Sequence, residues 1–168
     1  MNQMTTEKGR QRILVLGLGS PIISDDSIGL RIADEIRSHR FDNVEIRDAS
    51  TSGLDLIELM LDFDYVIVVD GIITGISNPG SVFVFDEQNF STTVRGANPH
   101  DVNIATAIRL GRMIEPERMP KKIFFVAIEV VNTKTVGENL TPEVEASIPK
   151  AVEAVLDLIY KTRCDANY

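Results

Sequence analysis

The amino-acid sequence predicts a single α/β domain, a three-layer α/β/α sandwich around a five-stranded mixed sheet whose fourth strand is antiparallel. Three observations predict it. Strand-sized apolar runs such as Ile13 to Leu18 and Val66 to Val69 alternate with stretches of helical apolar spacing. The runs are continuous rather than alternating, as strands covered on both faces require. At 168 residues the chain can fill one hydrophobic core and is too short for two ordinary domains. The expected division is a disordered lead-in over 1–11, the domain over 12–163 and a C-terminal tail over 164–168.

Each element has its own signal. Ile13 to Leu18 reads as a central strand, bounded by Arg12 and Gly19. From about Asp26 to Ser38, Ile28, Leu30, Ile32, Ala33 and Ile36 recur at roughly helical spacing, with acids at the start and Arg37 and His39 at the end, as the helix dipole favours. Val44 to Ile46 is a second strand ending near Asp48, followed by the loop DASTSG and a shorter helix carrying Leu54, Ile57, Leu59 and Met60. Tyr65 to Val69 is a third strand ending at Asp70. Asn78-Pro79-Gly80 is a turn, and Ser81 to Phe85 follows as a fourth strand. The connection into it is too short for a helical crossover, so it should run antiparallel. Glu87 to Pro99 reads as polar and irregular, and Ile104, Ala107, Ile108 and Leu110 mark a helix to about Met113. Ile123 to Ile128 is a fifth strand and Asn132 to Asn139 a loop. Thr141 as N-cap and Pro142 at the first helical position open a final helix, striped by Val144, Ile148, Ala151, Val152, Val155, Leu156 and Ile159.

Composition narrows the function classes. Hydrophobic residues make up 43% and charged residues 25%, an ordinary globular mixture, and no apolar run is long enough to span a bilayer. The opening MNQMTTEKGRQR carries no apolar h-region, and the single cysteine, Cys164, permits no internal disulfide. A reducing cytoplasm is the expected compartment. The net charge of −8 repels nucleic acid and anionic membranes, so neither is an expected partner. It is compatible with a basic protein partner or a cation, although net charge alone favours the simpler reading, solubility.

Ligands of such sheets bind beyond the carboxyl ends of the strands, and that rule gathers Asp25, Asp26, Asp48 and Asp70 at one edge. Gly17-Leu18-Gly19 between strand and helix suggests a dinucleotide site. However, Ile22 stands where a third small residue is required, and Asp25 and Asp26 would face the pyrophosphate with negative charge. No dinucleotide is expected. A cation fits better: Asp26, Asp70 and His100 make an oxygen and nitrogen donor set suited to nickel, zinc or another divalent metal. Of the two histidines, His39 falls at a helix C-terminus where a structural role suffices, whereas His100 follows a proline in a polar loop. Spacing alone leaves other readings open. Either acid of the pair can be a helix cap, Asp70 a capped strand end and His100 a surface residue.

Five blocks in order carry a resemblance: ILVLGLGSPIISDDSIGLRIADEI, DASTSGLDLIELM, VIVVDGI, NPHDVNI and LTPEVEASIPKAV. From about Arg12 to Tyr160 the chain resembles the nickel-iron hydrogenase maturation endopeptidases, including related delta-type accessory proteins encoded with methanogen hydrogenases. The resemblance implies a phosphorylase/hydrolase-like sandwich, and it puts Asp26, Asp70 and His100 at the family's three nickel-interacting positions, both as metal-reading and as catalytic residues. It also implies the reaction: removal of a short C-terminal tail from the hydrogenase large-subunit precursor once nickel is inserted, the nickel being supplied by the substrate. A water would attack the scissile carbonyl, with the metal polarising carbonyl or water and one carboxylate as general base. No Gly-x-Ser-x-Gly elbow is present, and Cys164 lies outside the matched blocks, so no covalent nucleophile is expected. Two departures stand out. Ser20-Pro21 replaces asparagine and an apolar residue, and Ala49-Ser50 replaces two glycines before Thr51. Two rivals remain: a non-catalytic nickel-sensing accessory protein that binds and releases the large subunit, and a general metallopeptidase holding its own metal.

Overall fold

The run Ile13–Leu18 forms β1, six residues all buried, as a strand covered on both faces must be. A computed structural model describes residues 10–50, 53–93 and 99–164, with the backbone alone for 93 and 99–103. The expected lead-in, apart from Arg10 and Gln11, lies outside the described residues, as do Thr51 and the tail beyond Cys164. After β1 come a 3₁₀ turn over Ser24–Ser27 and helix α1 over Ile28–Arg37. Then follow β2 (Val44–Ala49), α2 (Asp55–Met60), β3 (Tyr65–Ile72), β4 (Val82–Asp86), α3 (Glu87–Thr93), α4 (Pro99–Ile114), β5 (Lys122–Glu129), α5 (Pro142–Ala146) and α6 (Ile148–Cys164).

The sheet order is β2-β1-β3-β5-β4. β1 pairs parallel with β2 and β3, β3 parallel with β5, and β4 antiparallel with β5, with Val84 opposite Val126. The antiparallel fourth strand follows from its short connection, as expected. Strand alternation sends the two sets of side chains into two cores. Leu14, Leu16, Leu18, Val66, Val68, Ile123 and Phe125 pack with Leu56, Ile57, Ile104 and Ile108 of α2 and α4. Ile13, Val15, Ile67, Val69, Val126 and Ile128 pack with Ile28, Ile32 and Ile36 of α1 and Ala151, Val155 and Ile159 of α6. Sheet and helices thus make the three-layer sandwich.

Several boundaries differ from expectation. The helix expected from Asp26 starts as a 3₁₀ turn, so both acids precede the α-helix proper. Glu87 to Thr93, read as irregular, is helical. Its cap is polar: Asp86 Oδ1 accepts the Asn89 N–H at 2.7 Å, as an N-cap does. One apolar residue anchors it, for Phe90 is 3% exposed and stacks on Phe125 with ring centroids 3.7 Å apart. The helix expected from Ile104 begins five residues earlier at Pro99, which has the fixed φ suited to a first helical position. The closing helix is split at Ser147, whose hydroxyl turns back to the Val144 carbonyl at 2.6 Å.

Candidate active site

In the order β2-β1-β3 the chain leaves β1 in one direction to reach β2 and later returns on its other side as β3. Where winding reverses, the segments after neighbouring strands diverge to opposite faces and open a crevice at the carboxyl edge. Asp26 follows β1, and Asp70 lies one residue beyond the Gly17–Val69 pair of β1 and β3. Both acids therefore belong to the carboxyl edge beside this switch point.

Two glycines make the corner tight. A Cβ on Gly29 would come within 2.3 Å of the Leu18 carbonyl oxygen and 2.4 Å of that of Val69, so the first turn of α1 sits directly on the ends of β1 and β3. Gly19 takes φ +143°, and a Cβ there would lie 1.9 Å from the Asp26 carbonyl oxygen. The turn carrying Asp26 is thereby folded back against the end of β1.

Successive residues of a 3₁₀ turn point about 120° apart, so adjacent acids cannot face the same way. Asp25 goes inward and is fully buried. Its Oδ1 accepts the Thr141 N–H at 2.7 Å, and its Oδ2 accepts the Asn132 N–H and the Thr141 hydroxyl, each at 3.0 Å, and the Val131 N–H at 3.3 Å. Asp25 is a clamp on the segments after β5. Thr141 keeps the backbone of an N-cap but gives its hydroxyl to Asp25 rather than capping α5. Asp26 is only half-buried, and its Oδ2 accepts the Ser20 N–H at 3.0 Å. Asp70 is 7% exposed, and its Oδ1 accepts the Gly71 N–H at 2.8 Å. β3 runs on to Ile72, so Asp70 is within the strand rather than at its end.

Other expected members go elsewhere. Asp48 is exposed and ion-paired with Arg37 at 2.7 Å, which holds the Arg37 guanidinium above its ordinary pKa. His39 is exposed and stacks against Phe41 with centroids 6.2 Å apart. His100 is in the first turn of α4 rather than in a loop, and its side chain lies outside the described residues. Among the described residues no three His, Cys, Asp or Glu side chains form a metal-holding group.

Glu129 escaped the sequence reading. It is 2% exposed at the end of β5, where its Oε1 accepts the N–H groups of Thr74 and Gly75 at 2.9 and 3.0 Å, and its Oε2 the Thr74 hydroxyl at 2.7 Å. It fixes the loop just past Asp70. The available signal was an acid closing the apolar run IFFVAI, the same pattern that picks out Asp70.

Comparison with known proteins gives the family and the fold. A family model described as hydrogenase maturation protease matches residues 30–158. Over 158 residues the chain is 31% identical to the hydrogenase 2 maturation protease of Escherichia coli K12, covering 92% of this chain and 94% of that one. It is 28% identical to the hydrogenase expression/formation protein HupD of Bradyrhizobium diazoefficiens, covering 93% of this chain and 82% of the relative. The structure is similar to the hydrogenase maturating endopeptidase HybD of E. coli, with a TM-score of 0.79 at 30% identity over 90% of this chain and 94% of that one.

Proposed function

The chain belongs to the hydrogenase maturation protease family and is a hydrogenase maturation endopeptidase, and on that premise we propose that it removes a C-terminal tail from the large-subunit precursor of a nickel-iron hydrogenase after nickel insertion, reading the substrate's nickel through Asp26, Asp70 and His100. One observation carries this reading: the winding reversal lies between β1 and β3, and Asp26 and Asp70 fall just past their paired residues at the ligand edge. The nickel arrives as part of the substrate. Two hard oxygen donors and one imidazole suit a divalent metal of this kind and leave coordination positions for groups of the precursor. With the metal docked there, the scissile carbonyl is held beside the carboxylates, and a water attacks it. Asp26 is the more exposed of the two acids, and it is Oδ2 that accepts the Ser20 N–H, so it takes the proton of that water and passes it to the leaving amine as the peptide C–N bond breaks. Asp70, more deeply set, holds its place on the metal.

We assign the reaction to the cytoplasm, where the single Cys164 stays reduced. No helix among the described residues is long and apolar enough to cross a membrane. The test is to incubate the protein with a nickel-loaded precursor and measure its mass. Loss of a discrete C-terminal mass, dependent on nickel, is the expected result. An unchanged mass with a stable complex would instead make it an accessory protein. Stoichiometric zinc in the purified protein would argue for a resident metal.

A further inference from the structure

Exposed apolar side chains are ordinary when scattered, so their placement decides whether they mean anything. Among the described residues ten large hydrophobics are exposed, and six of them, Ile22, Leu54, Ile73, Ile76, Val131 and Val136, follow strands β1, β2, β3 and β5 at the carboxyl edge. This is the edge that carries Asp26 and Asp70. Ile76 is 87% exposed, Val136 77% and Ile22 60%.

The loops bearing Ile22, Ile73, Ile76, Val131 and Val136 are tied down. Ile23 bridges to Val136, and the Gly137 N–H donates to the Ile22 carbonyl at 3.0 Å, which joins the segments after β1 and β5 into one ribbon. Asp25 pins the base of that ribbon through Asn132 and Thr141, and Glu129 pins the loop of Ile73 and Ile76 through Thr74 and Gly75. Apolar side chains on fixed loops are presented to a partner without a large ordering cost.

We propose that these loops are two apolar lips that grip the precursor segment flanking the scissile bond, a segment with apolar side chains on either side of the cationic centre that Asp26 and Asp70 receive. This rests on the function proposed above. Charge and polarity select that occupant. A wholly apolar partner would strand the carboxylates against hydrocarbon, and a wholly polar one would leave the isoleucines in water. A second copy of this chain, docked about a two-fold axis, would set the acidic crevice against itself.

Ile76→Asp and Val136→Asp test it, with Met113→Asp, exposed at the distant end of α4, as control. Folding is checked by circular dichroism, and precursor processing and retention are measured for each protein. The expected result is a KM raised about tenfold per lip substitution, with saturated turnover falling far less and the control matching the parent protein. Parent-like KM in both lip variants, with the parent cleaving, overturns the lips and leaves the proposed function intact. Precursor retained uncut by the parent but lost by the lip variants keeps the lips and overturns the cleavage. A parent that neither cuts nor retains precursor, or a dimer that the lip variants dissociate, overturns the lips.

Discussion

Asp25 and Asp26 are neighbours in sequence with different surroundings, one fully buried on backbone N–H groups, the other half-buried and proposed to meet the nickel of the substrate. The substitutions should separate them. Asp26→Ala abolishes processing of the precursor while the urea midpoint stays near the parent value, because Asp26 is half-buried and holds one backbone N–H. Asp25→Asn does the reverse at first: its amide would face N–H donors at a fully buried site, with an expected loss of about 3 kcal/mol in urea unfolding. Urea midpoints and processing rates for the two variants side by side check both expectations. From the sequence, the acidic pair and its place after a strand were legible, and so was Asp70. The division of labour between the two acids was not, since the partners of Asp25 lie 106 to 116 residues away.

At the scale of elements, β1, β3 and β5 were legible because unbroken apolar runs have few other uses. α3 was not. Its seven residues bury one large side chain, and its turns are held by Asp86 and by the Ser91 and Thr92 hydroxyls returning to the carbonyls of Glu87 and Gln88, contacts with no apolar period. Phe90→Ala should therefore remove most of what anchors α3, with a loss of about 3–4 kcal/mol in urea unfolding. Gly29→Val tests the other tight contact. It drives a branched side chain into the carbonyls of Leu18 and Val69, so the expected outcome is failure to accumulate as folded protein, read by soluble yield and circular dichroism. The position of α4 shows a further limit. The helix begins at Pro99, not Ile104, because its first turn lacks the apolar spacing that marks the rest.

The whole molecule has two unlike ends. The carboxyl edge carries the acids and the exposed isoleucines and valines, whereas the amino edge carries ion pairs, among them Arg118–Asp62 at 2.7 Å and Lys121–Asp64 at 2.9 Å. The Arg118 hydrogen bond draws the Asp62 carboxyl below its ordinary pKa. Burial pushes Asp64 up, but Lys121 and the Arg12 N–H outweigh it and leave Asp64 lowered too. A lowered carboxylate stabilises the fold above its unfolded value of about 3.9 and loses that contribution as pH falls through the lower folded value. Lys121 is raised by Asp64, so its contribution is complete below its ordinary value and fades only as pH rises beyond it. Asp64→Asn should flatten the acid limb of a stability–pH curve below about pH 4 and change stability near neutrality by less than about 1 kcal/mol, since Lys121 is largely exposed.

The clamp of Asp25 on Thr141 also orders events in time. It closes a loop spanning 116 residues, and contacts of such separation form late because chain entropy opposes them until the intervening strands have paired. During synthesis the first strand and α1 emerge long before residue 141 does. The carboxyl edge is thus completed only after residue 141 has emerged, and a nascent chain cannot engage a precursor before its own sheet is built.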